Sequence, residues 1–396
     1  MVEPQRIVIV GSGLAGASAA GALRERGYAG KIVMFGHEVH RPYELPALSK
    51  DVLLGDKDEP AWVHDPGFYR DNEIDFRPGT PITDLRPGDR TVVDSDGAVH
   101  SYDRLLLATG SRPRVLPGAR GHVLRTWDDS LALRAELTEG KQVVIVGAGW
   151  IGCEVAAAAR KHGAVVTVVD PVALPLQRVL GDEVGAVFRD LHADHGVHWR
   201  LGVGVEGFSD RGVVLRGDEE LLADVLVLGV GATPRLELAE AAGLAIADGG
   251  VAVDATLRTS DPDVFAAGDI AAHDHPRYGH RVRVEHWANA KDQGTYVAGP
   301  LLGLDEPYQQ SPYFFSDQYD LGMEYRGLAD PERDELVVRG DLSKREFIAF
   351  WLRDGRLQAA MNVNSWDDGT ALKALVDSHA AVTPEQLRTA DLAALV

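Results

Sequence analysis

Apolar residues in this chain gather in runs of four or five that end on glycine. Residues 6–10 (Arg-Ile-Val-Ile-Val) are one such run, too short for a helix and closed by a turn, so they predict a buried strand. Gly11-Ser12-Gly13-Leu14-Ala15-Gly16 forms the turn, the alanine-rich stretch 17–26 predicts a helix, and residues 31–35 predict the next strand. Strand, turn, helix and strand make a βαβ unit, which implies a parallel sheet. A further strand is predicted over 102–109, ending at Gly110. The opening pattern then returns: strand 142–146, the turn Gly147-Ala148-Gly149-Trp150-Ile151-Gly152, helix 154–161 and strand 165–169. The two copies point to a duplication rather than a solenoid array.

Another apolar run at 226–229 leads into a turn at 231–234, and a third strand-and-turn covers Asp263 to Asp269. From about residue 321 the texture changes to short alternating runs, such as 335–340 and 347–352, separated by Asp-Gly-type turns. Alternation with period two predicts an antiparallel sheet. Helical stretches are expected near 370–378 and 384–390.

Composition narrows the partners. The 396 residues are 45% hydrophobic and 25% charged, the balance of a globular protein, and the formal net charge is −20. A field of that sign repels phosphate backbones and anionic lipid, arguing against nucleic acid or a membrane as main partner. The single cysteine excludes a disulfide framework, a CxxC pair and cysteine-ligated zinc or iron–sulfur. The first apolar run is too short for a secretion signal and no window is long enough to span a bilayer, so a cytoplasmic location is expected. No HExxH or paired ligand spacing occurs among the 14 histidines and 60 acids, so no metal is expected.

A lone GxGxxG is weak, because glycine turns are common. Here both copies follow an apolar strand and open a helix, the setting that gives the motif its mechanics. The first glycine permits the tight turn, the second lets a pyrophosphate approach the backbone, and the third lets helix pack on strand. The phosphate charge then meets a helix N-terminus. Two bound dinucleotides are expected, on an α/β fold with two Rossmann-like dinucleotide-binding domains and a small α+β C-terminal domain. In the second copy Asp170 ends the strand, where a carboxylate accepts a ribose 2′-OH and repels a 2′-phosphate. Pro171 and Val172 follow with no adjacent arginine, so NADH is favoured over NADPH. In the first copy the strand runs into Gly36, His37 and Glu38; Glu38 is the nearest carboxylate, either a ribose ligand or a solvated loop acid.

Across nearly its whole length the sequence resembles the FAD-dependent, NADH-linked ferredoxin reductases of the glutathione-reductase type, which serve bacterial cytochrome P450 and Rieske-type oxygenases. The resemblance rests on residues 40–50 (HRPYELPALSK), 108–113 (ATGSRP), 147–154, 266–269 (AAGD), 284–290 (VEHWANA) and 312–319 (PYFFSDQY). It implies an FAD-binding domain over 1–115 and 240–320, an NADH-binding domain over 116–239 and a C-terminal domain over 321–396. Gly11, Gly13, Leu14, Ala15 and Gly16 would hold the FAD pyrophosphate. Glu38, Arg41, Ala108, Thr109, Gly110, Gly268 and Asp269 would line the rest of the FAD, with Asp269 on the ribityl or phosphate region. Glu285, His286, Trp287 and Phe315 would border the isoalloxazine, and Lys50 would sit beside the ring, paired with Glu154 as the catalytic couple. Gly147, Gly149, Trp150, Ile151, Gly152, Glu154, Asp170, Arg178 and Gly231 would contact NADH. Leu45 stands where many members carry arginine, Ala47 where a second proline is usual, His37 where aspartate is frequent, and Tyr313 and Phe315 where tryptophans are typical.

Read from the residues alone, several roles stay open. A lysine near a reduced flavin stabilises its charge and, if buried, needs a counter-ion such as Glu154, but the two are equally readable as separate surface charges. Trp287, Tyr313 and Phe315 also suit a core, and His286 a structural role. Cys153, at the start of the second turn's helix, reads as a packing residue, with a redox thiol as the alternative. The expected activity is NADH:ferredoxin oxidoreduction through FAD, on a monomer or homodimer. Alternatives are a rubredoxin reductase, a general quinone or dye reductase, and an NADH-sensing flavoprotein like the apoptosis-inducing-factor relatives. An acidic ferredoxin would need a local basic patch, with candidates Arg277, His280, Arg281, Arg283, Arg326, Arg339, Lys344 and Arg345.

Overall fold

The computed structural model describes residues 4–396. The chain forms two compact units, each assembled from three stretches. The first comprises the stretch ending at Glu44 with Ala61–Arg112 and Thr233–Gln310; the second comprises Leu45–Pro60, Pro113–Ala232 and Ser311–Val396.

In the first unit the run Arg6–Val10 is the middle strand of a five-stranded parallel sheet. In spatial order the strands are Val264–Ala266, Arg104–Leu107, Arg6–Val10, Lys31–Phe35 and Ile74–Arg77. Register places Val10 opposite both Phe35 and Leu107. Strands buried on both faces have no polar positions to alternate, which is why they read as continuous Val/Ile/Leu runs. The helix Leu14–Glu25 covers this sheet, and the helix Trp287–Leu301 packs against it. Their approach is close: a Cβ on Gly294 would lie 2.3 Å from the Ala15 carbonyl oxygen. Two smaller sheets, one of Ile82–Arg86, Thr91–Asp94 and Val99–Ser101 and one built around Ala271–His275, complete the unit.

The second unit repeats the plan with a four-stranded parallel sheet ordered His198–Leu201, Val165–Asp170, Gln142–Val146 and Val225–Leu228. It also holds a five-stranded antiparallel sheet over Tyr313–Gln318, Leu321–Gly327, Glu335–Asp341, Glu346–Arg353 and Arg356–Val363. The helices Gly369–Asp377 and Pro384–Thr389 cover it, with Leu372, Leu375, Val376 and Leu387 in its core.

Two differences from the sequence reading have physical causes. Both glycine-turn helices begin earlier than the alanine pattern suggests, at Leu14 and Trp150. Gly13 and Gly149 take the extended N-cap conformation, so the residues that complete each motif are already the helix's first turn. The helix Gln177–Asp194 escapes a periodicity reading because Gly181, at φ 80°, kinks it after its first turn, although Leu180, Val184, Val187, Phe188 and Leu191 do fall on one face.

Candidate functional site

The two glycine turns share their construction. Gly11 and Gly147 take φ of 117° and 111°, and a Cβ on either would lie 2.1 or 2.3 Å from the carbonyl oxygen of Ala108 or Gly229. A side chain at either position meets backbone that cannot move aside, so only glycine closes the turn. The third glycines permit close packing, since a Cβ on Gly16 or Gly152 would lie 2.0 or 1.9 Å from the Gly11 or Gly147 carbonyl oxygen. The middle glycines differ in kind: a Cβ on Gly13 or Gly149 would meet nothing within 4 Å. The chain leaves that space open, and both helices begin there with no side-chain cap and no acidic residue in the first turn. Uncapped amide N–H groups at an open helix start are the donor set a pyrophosphate requires. Both turns therefore fit a dinucleotide.

Around the first turn, Leu14 and Ala15 are buried. Glu38 accepts a 2.5 Å hydrogen bond from the Tyr43 hydroxyl. The Arg41 guanidinium lies 4.3 Å above the Trp62 ring and donates to the His64 carbonyl. Ala108 is buried beside Gly11, the Thr109 hydroxyl donates to the Arg235 carbonyl, and Gly110 takes φ 65°. Gly268 donates its N–H to Gln293 Oε1, and Asp269 is buried in the short helical turn that follows. Glu285 is exposed and paired with Arg283. His286 is the N-cap of the helix that starts at Trp287; burial of its ring pulls its pKa down to about 4, so it is a neutral imidazole at pH 7. Lys291 lies 5.0 Å over the Trp287 ring.

At the second turn Asp170 is more than a ribose candidate. One carboxylate oxygen accepts the Ala148 N–H at 2.7 Å and the other the Val172 N–H at 2.9 Å, so the side chain braces the turn. A carboxylate has about four acceptor positions, which leaves room for a ribose hydroxyl. Ile151 is 41% exposed at the helix start, an apolar surface free to meet a ligand. Trp150 instead packs edge-on against Phe188 and Phe314, and Arg178 is exposed on its helix. Gly231, at φ 97°, accepts a hydrogen bond from the Arg114 N–H.

Lys50 and Glu154 are brought together. Lys50 Nζ lies 2.8 Å from Glu154 Oε1, with side chains 15% and 6% exposed. The Ser316 hydroxyl donates to the same oxygen at 2.6 Å, and the Ser49 hydroxyl donates to Oε2. Three donors offset the desolvation of a buried carboxylate, and removing one partner of such a pair costs about 3–5 kcal/mol. Lys50 Nζ also stands 5.3 Å from the Phe315 ring centre, over an aromatic face that attracts a cation. Next along the strand, burial raises the Asp317 carboxyl pKa; Lys50 opposes that shift, while Glu154 and Asp51 add to it. Sequence reasoning missed Ser49 and Ser316. For Ser316 a signal existed: the strand Tyr313–Gln318 buries Phe314, Ser316 and Gln318 on alternate positions, and polar residues on a core-facing register need partners.

Cys153 is fully buried, its thiol 3.8 Å from the Ala148 carbonyl oxygen. Burial, with Glu154 and Asp170 adding, pushes the thiol up, which keeps it protonated and unreactive. The basic candidates are largely tied within the chain. Arg283 pairs with Glu285 and donates to the Asp269 carbonyl, Arg281 faces Asp248, Arg326 pairs with Glu324, and Lys344 and Arg345 pair with Asp341 and Asp194. Arg339 donates to the Ala390 carbonyl. No helix among the described residues is long and apolar enough to cross a membrane.

Residues 5–294 match the pyridine nucleotide-disulphide oxidoreductase family and residues 313–396 the reductase C-terminal family. The chain is 41% identical to the anthranilate 1,2-dioxygenase system ferredoxin–NAD(+) reductase component of Burkholderia cepacia, over 96% of each chain. In the covalent putidaredoxin reductase–putidaredoxin complex, the matched chain is 35% identical with a TM-score of 0.93, covering 99% of this chain and 98% of that one. The ferredoxin reductase for the CYP199A2 system of Rhodopseudomonas palustris is 36% identical with a TM-score of 0.93, over 98% of each chain.

Proposed function

Since the chain belongs to the pyridine nucleotide-disulphide oxidoreductase family, we propose that it is an FAD-dependent NADH:ferredoxin reductase supplying a cytochrome P450 or Rieske-type oxygenase. The observation that carries the reading is the pairing of two open glycine turns with a buried lysine–glutamate couple and a chemically inert thiol. FAD and NAD(H) are the family's cofactors. FAD, when bound, accepts two electrons as hydride and gives them up singly.

The residues divide that work. The first turn, with Arg41 and Asp269, is the FAD cradle; the second turn, with Ile151 and Asp170, holds the nicotinamide dinucleotide. Asp170 disfavours a 2′-phosphate, so NADH is preferred over NADPH. Lys50 supplies a fixed positive charge, and Glu154 with its three donors keeps that ammonium in place. Electrons leave without a thiol relay, because Cys153 is buried and protonated. The partner is an iron–sulfur ferredoxin, and the location is cytoplasmic.

The test is an anaerobic titration of the flavin-loaded protein with NADH, followed by cytochrome c reduction with and without a [2Fe–2S] ferredoxin. Bleaching of the flavin band and a rate that rises with ferredoxin are expected, with NADPH at least tenfold less effective. Bleaching with no dependence on ferredoxin would replace this reading with a general flavin reductase.

A further inference from the structure

Behind Glu154 the second unit buries a chain of polar side chains that the proposed reaction does not itself require. Tyr319 Oη lies 3.3 Å from His192 Nδ1, His192 Nε2 lies 2.8 Å from Gln318 Oε1, and Gln318 Nε2 lies 3.1 Å from Ser316 Oγ. Ser316 Oγ in turn lies 2.6 Å from Glu154 Oε1. His192, Ser316 and Gln318 are each no more than 1% exposed, so water cannot substitute for these bonds.

Burial fixes every proton in this chain. Transfer from water pulls the His192 pKa down to about 4, so the ring is neutral and carries one N–H. Gln318 Oε1 can only accept, which puts that hydrogen on Nε2 and leaves Nδ1 to accept from the Tyr319 hydroxyl. Gln318 then offers its N–H to Ser316, whose own hydrogen is left for Glu154. Turning the Gln318 amide over would let His192 keep its bonds as the other tautomer, but it would set the Gln318 oxygen against Ser316, whose single hydrogen cannot serve both that oxygen and Glu154. Only one arrangement satisfies all the groups, and in it each donor points toward the Glu154 carboxylate.

We propose that His192 and Gln318 are positioning residues for the Lys50–Glu154 couple: they fix the Ser316 hydroxyl as a donor to Glu154, which holds that carboxylate and the Lys50 ammonium in place. This rests on the reductase reading above. The charged and titratable groups packed around Glu154 are Lys50 with its neighbour Asp51, Cys153 on its own helix, Asp317 on the neighbouring strand with Tyr319 in the turn that follows, His192 on the kinked helix and Asp170 at the strand end. Gln318→Glu reverses the chain, because a carboxylate at 318 claims the Ser316 hydrogen. Gln318→Leu and Ser316→Ala simply interrupt it.

The test titrates Glu154 in the flavin-loaded protein by infrared difference spectroscopy, with the carboxyl band assigned by Glu154→Gln and Asp317 removed from the spectrum by Asp317→Asn. The acid limb of anaerobic flavin bleaching by NADH is measured alongside. Losing one hydrogen bond to a charged group should raise both midpoints by about one pH unit in Ser316→Ala and Gln318→Leu, and by more in Gln318→Glu. The double variant Ser316→Ala with Gln318→Leu should move no further than Ser316→Ala alone, since both break one chain. Unmoved midpoints in folded Ser316→Ala or Gln318→Leu, or additive shifts in the double variant, would overturn the proposal. The infrared midpoint does not depend on turnover. A wild-type protein whose flavin NADH cannot bleach therefore fails the reductase reading, whereas moving or unmoving midpoints still decide the role of the chain.

Discussion

The two glycine turns are near copies that solve one crowding problem in opposite ways. Gly11 N–H bonds the Phe35 carbonyl and Gly147 N–H bonds the Val169 carbonyl, so Gly36 and Asp170 hold the same place after the second strand of each unit. Facing them in the turn are Ser12 and Ala148. In the first unit the turn carries the polar side chain and the strand end is bare: a Cβ on Gly36 would lie 2.2 Å from Ser12 Oγ. In the second the turn carries only a methyl, and the strand end supplies a carboxylate that bonds the Ala148 N–H. The space between turn and strand admits one side chain beyond a methyl, supplied by the turn in the first unit and by the strand end in the second. In the second unit the strand end carries the Asp170 carboxylate; in the first the nearest carboxylate is Glu38, two residues on and held by Tyr43.

Breaking the shared part of the design should cost most. Gly11→Ala and Gly147→Ala each place a methyl against a backbone carbonyl at a φ that non-glycine residues do not adopt. Each should destabilise by on the order of 5 kcal/mol. Thermal melting and flavin content should separate them, with Gly11→Ala emptied of FAD and Gly147→Ala retaining some flavin but losing its response to NADH.

Acid should then distinguish the units. His273 and His275 in the first unit and His192 in the second are all buried, and burial holds each near a pKa of about 4. An unfolded histidine titrates near 6.5, so between these values the unfolded chain binds the proton that the folded chain refuses. Stability is therefore complete above about pH 6.5 and falls as the pH drops toward 4. At pH 5 the loss is about 2 kcal/mol per histidine, so the first unit should lose its hydrogen-exchange protection before the second. Equal protection of both units at pH 5 would remove the histidines as the cause.

The middle glycines give a smaller and cleaner test. Because a Cβ at Gly13 or Gly149 meets nothing within 4 Å, alanine there should leave Tm within about 2 °C while costing cofactor affinity roughly tenfold to a hundredfold. Gly13→Ala should weaken FAD and Gly149→Ala should raise the KM for NADH. Unchanged affinity in either would mean that its open space is not a pyrophosphate cradle.

The strands, both turns and the antiparallel sheet were legible because each rests on local pattern: short apolar runs, glycine spacing and period-two alternation. The Lys50–Glu154 couple came from the family resemblance alone, since 104 residues separate the two and no local pattern links them. Ser49, Ser316, Gln318 and His192 were passed over for a related reason. Each is an ordinary polar residue until the fold buries it, and only then does its need for a partner show. Asp170 was read from the sequence only as a ribose candidate; its bonds to Ala148 and Val172 depend on backbone placed by the turn itself.

Asp170, observed to brace the turn and expected to recognise ribose, is the finest probe of the comparison. If the carboxylate only recognised ribose, Asp170→Asn would weaken NADH, narrow the preference over NADPH and leave the turn alone. If it only braced the turn, the same change would lower stability with no effect on cofactor choice. Asparagine keeps one acceptor oxygen of the right size, so one of the two amides stays satisfied and the other loses its partner, a cost of about 1 kcal/mol. Removing the negative charge also removes the repulsion of a 2′-phosphate. Asp170→Asn should therefore lower Tm by about 2–4 °C and cut the NADH preference roughly tenfold, chiefly by raising the KM for NADH while kcat holds. Glycine at 36 makes the matching control: Gly36→Asp in the first unit should fail on its contact with Ser12 and should recover part of its flavin when Ser12→Ala is added. Recovery would show that one side-chain position is shared between turn and strand end. Failure of the double variant would mean that the backbone, and not Ser12, closes that place.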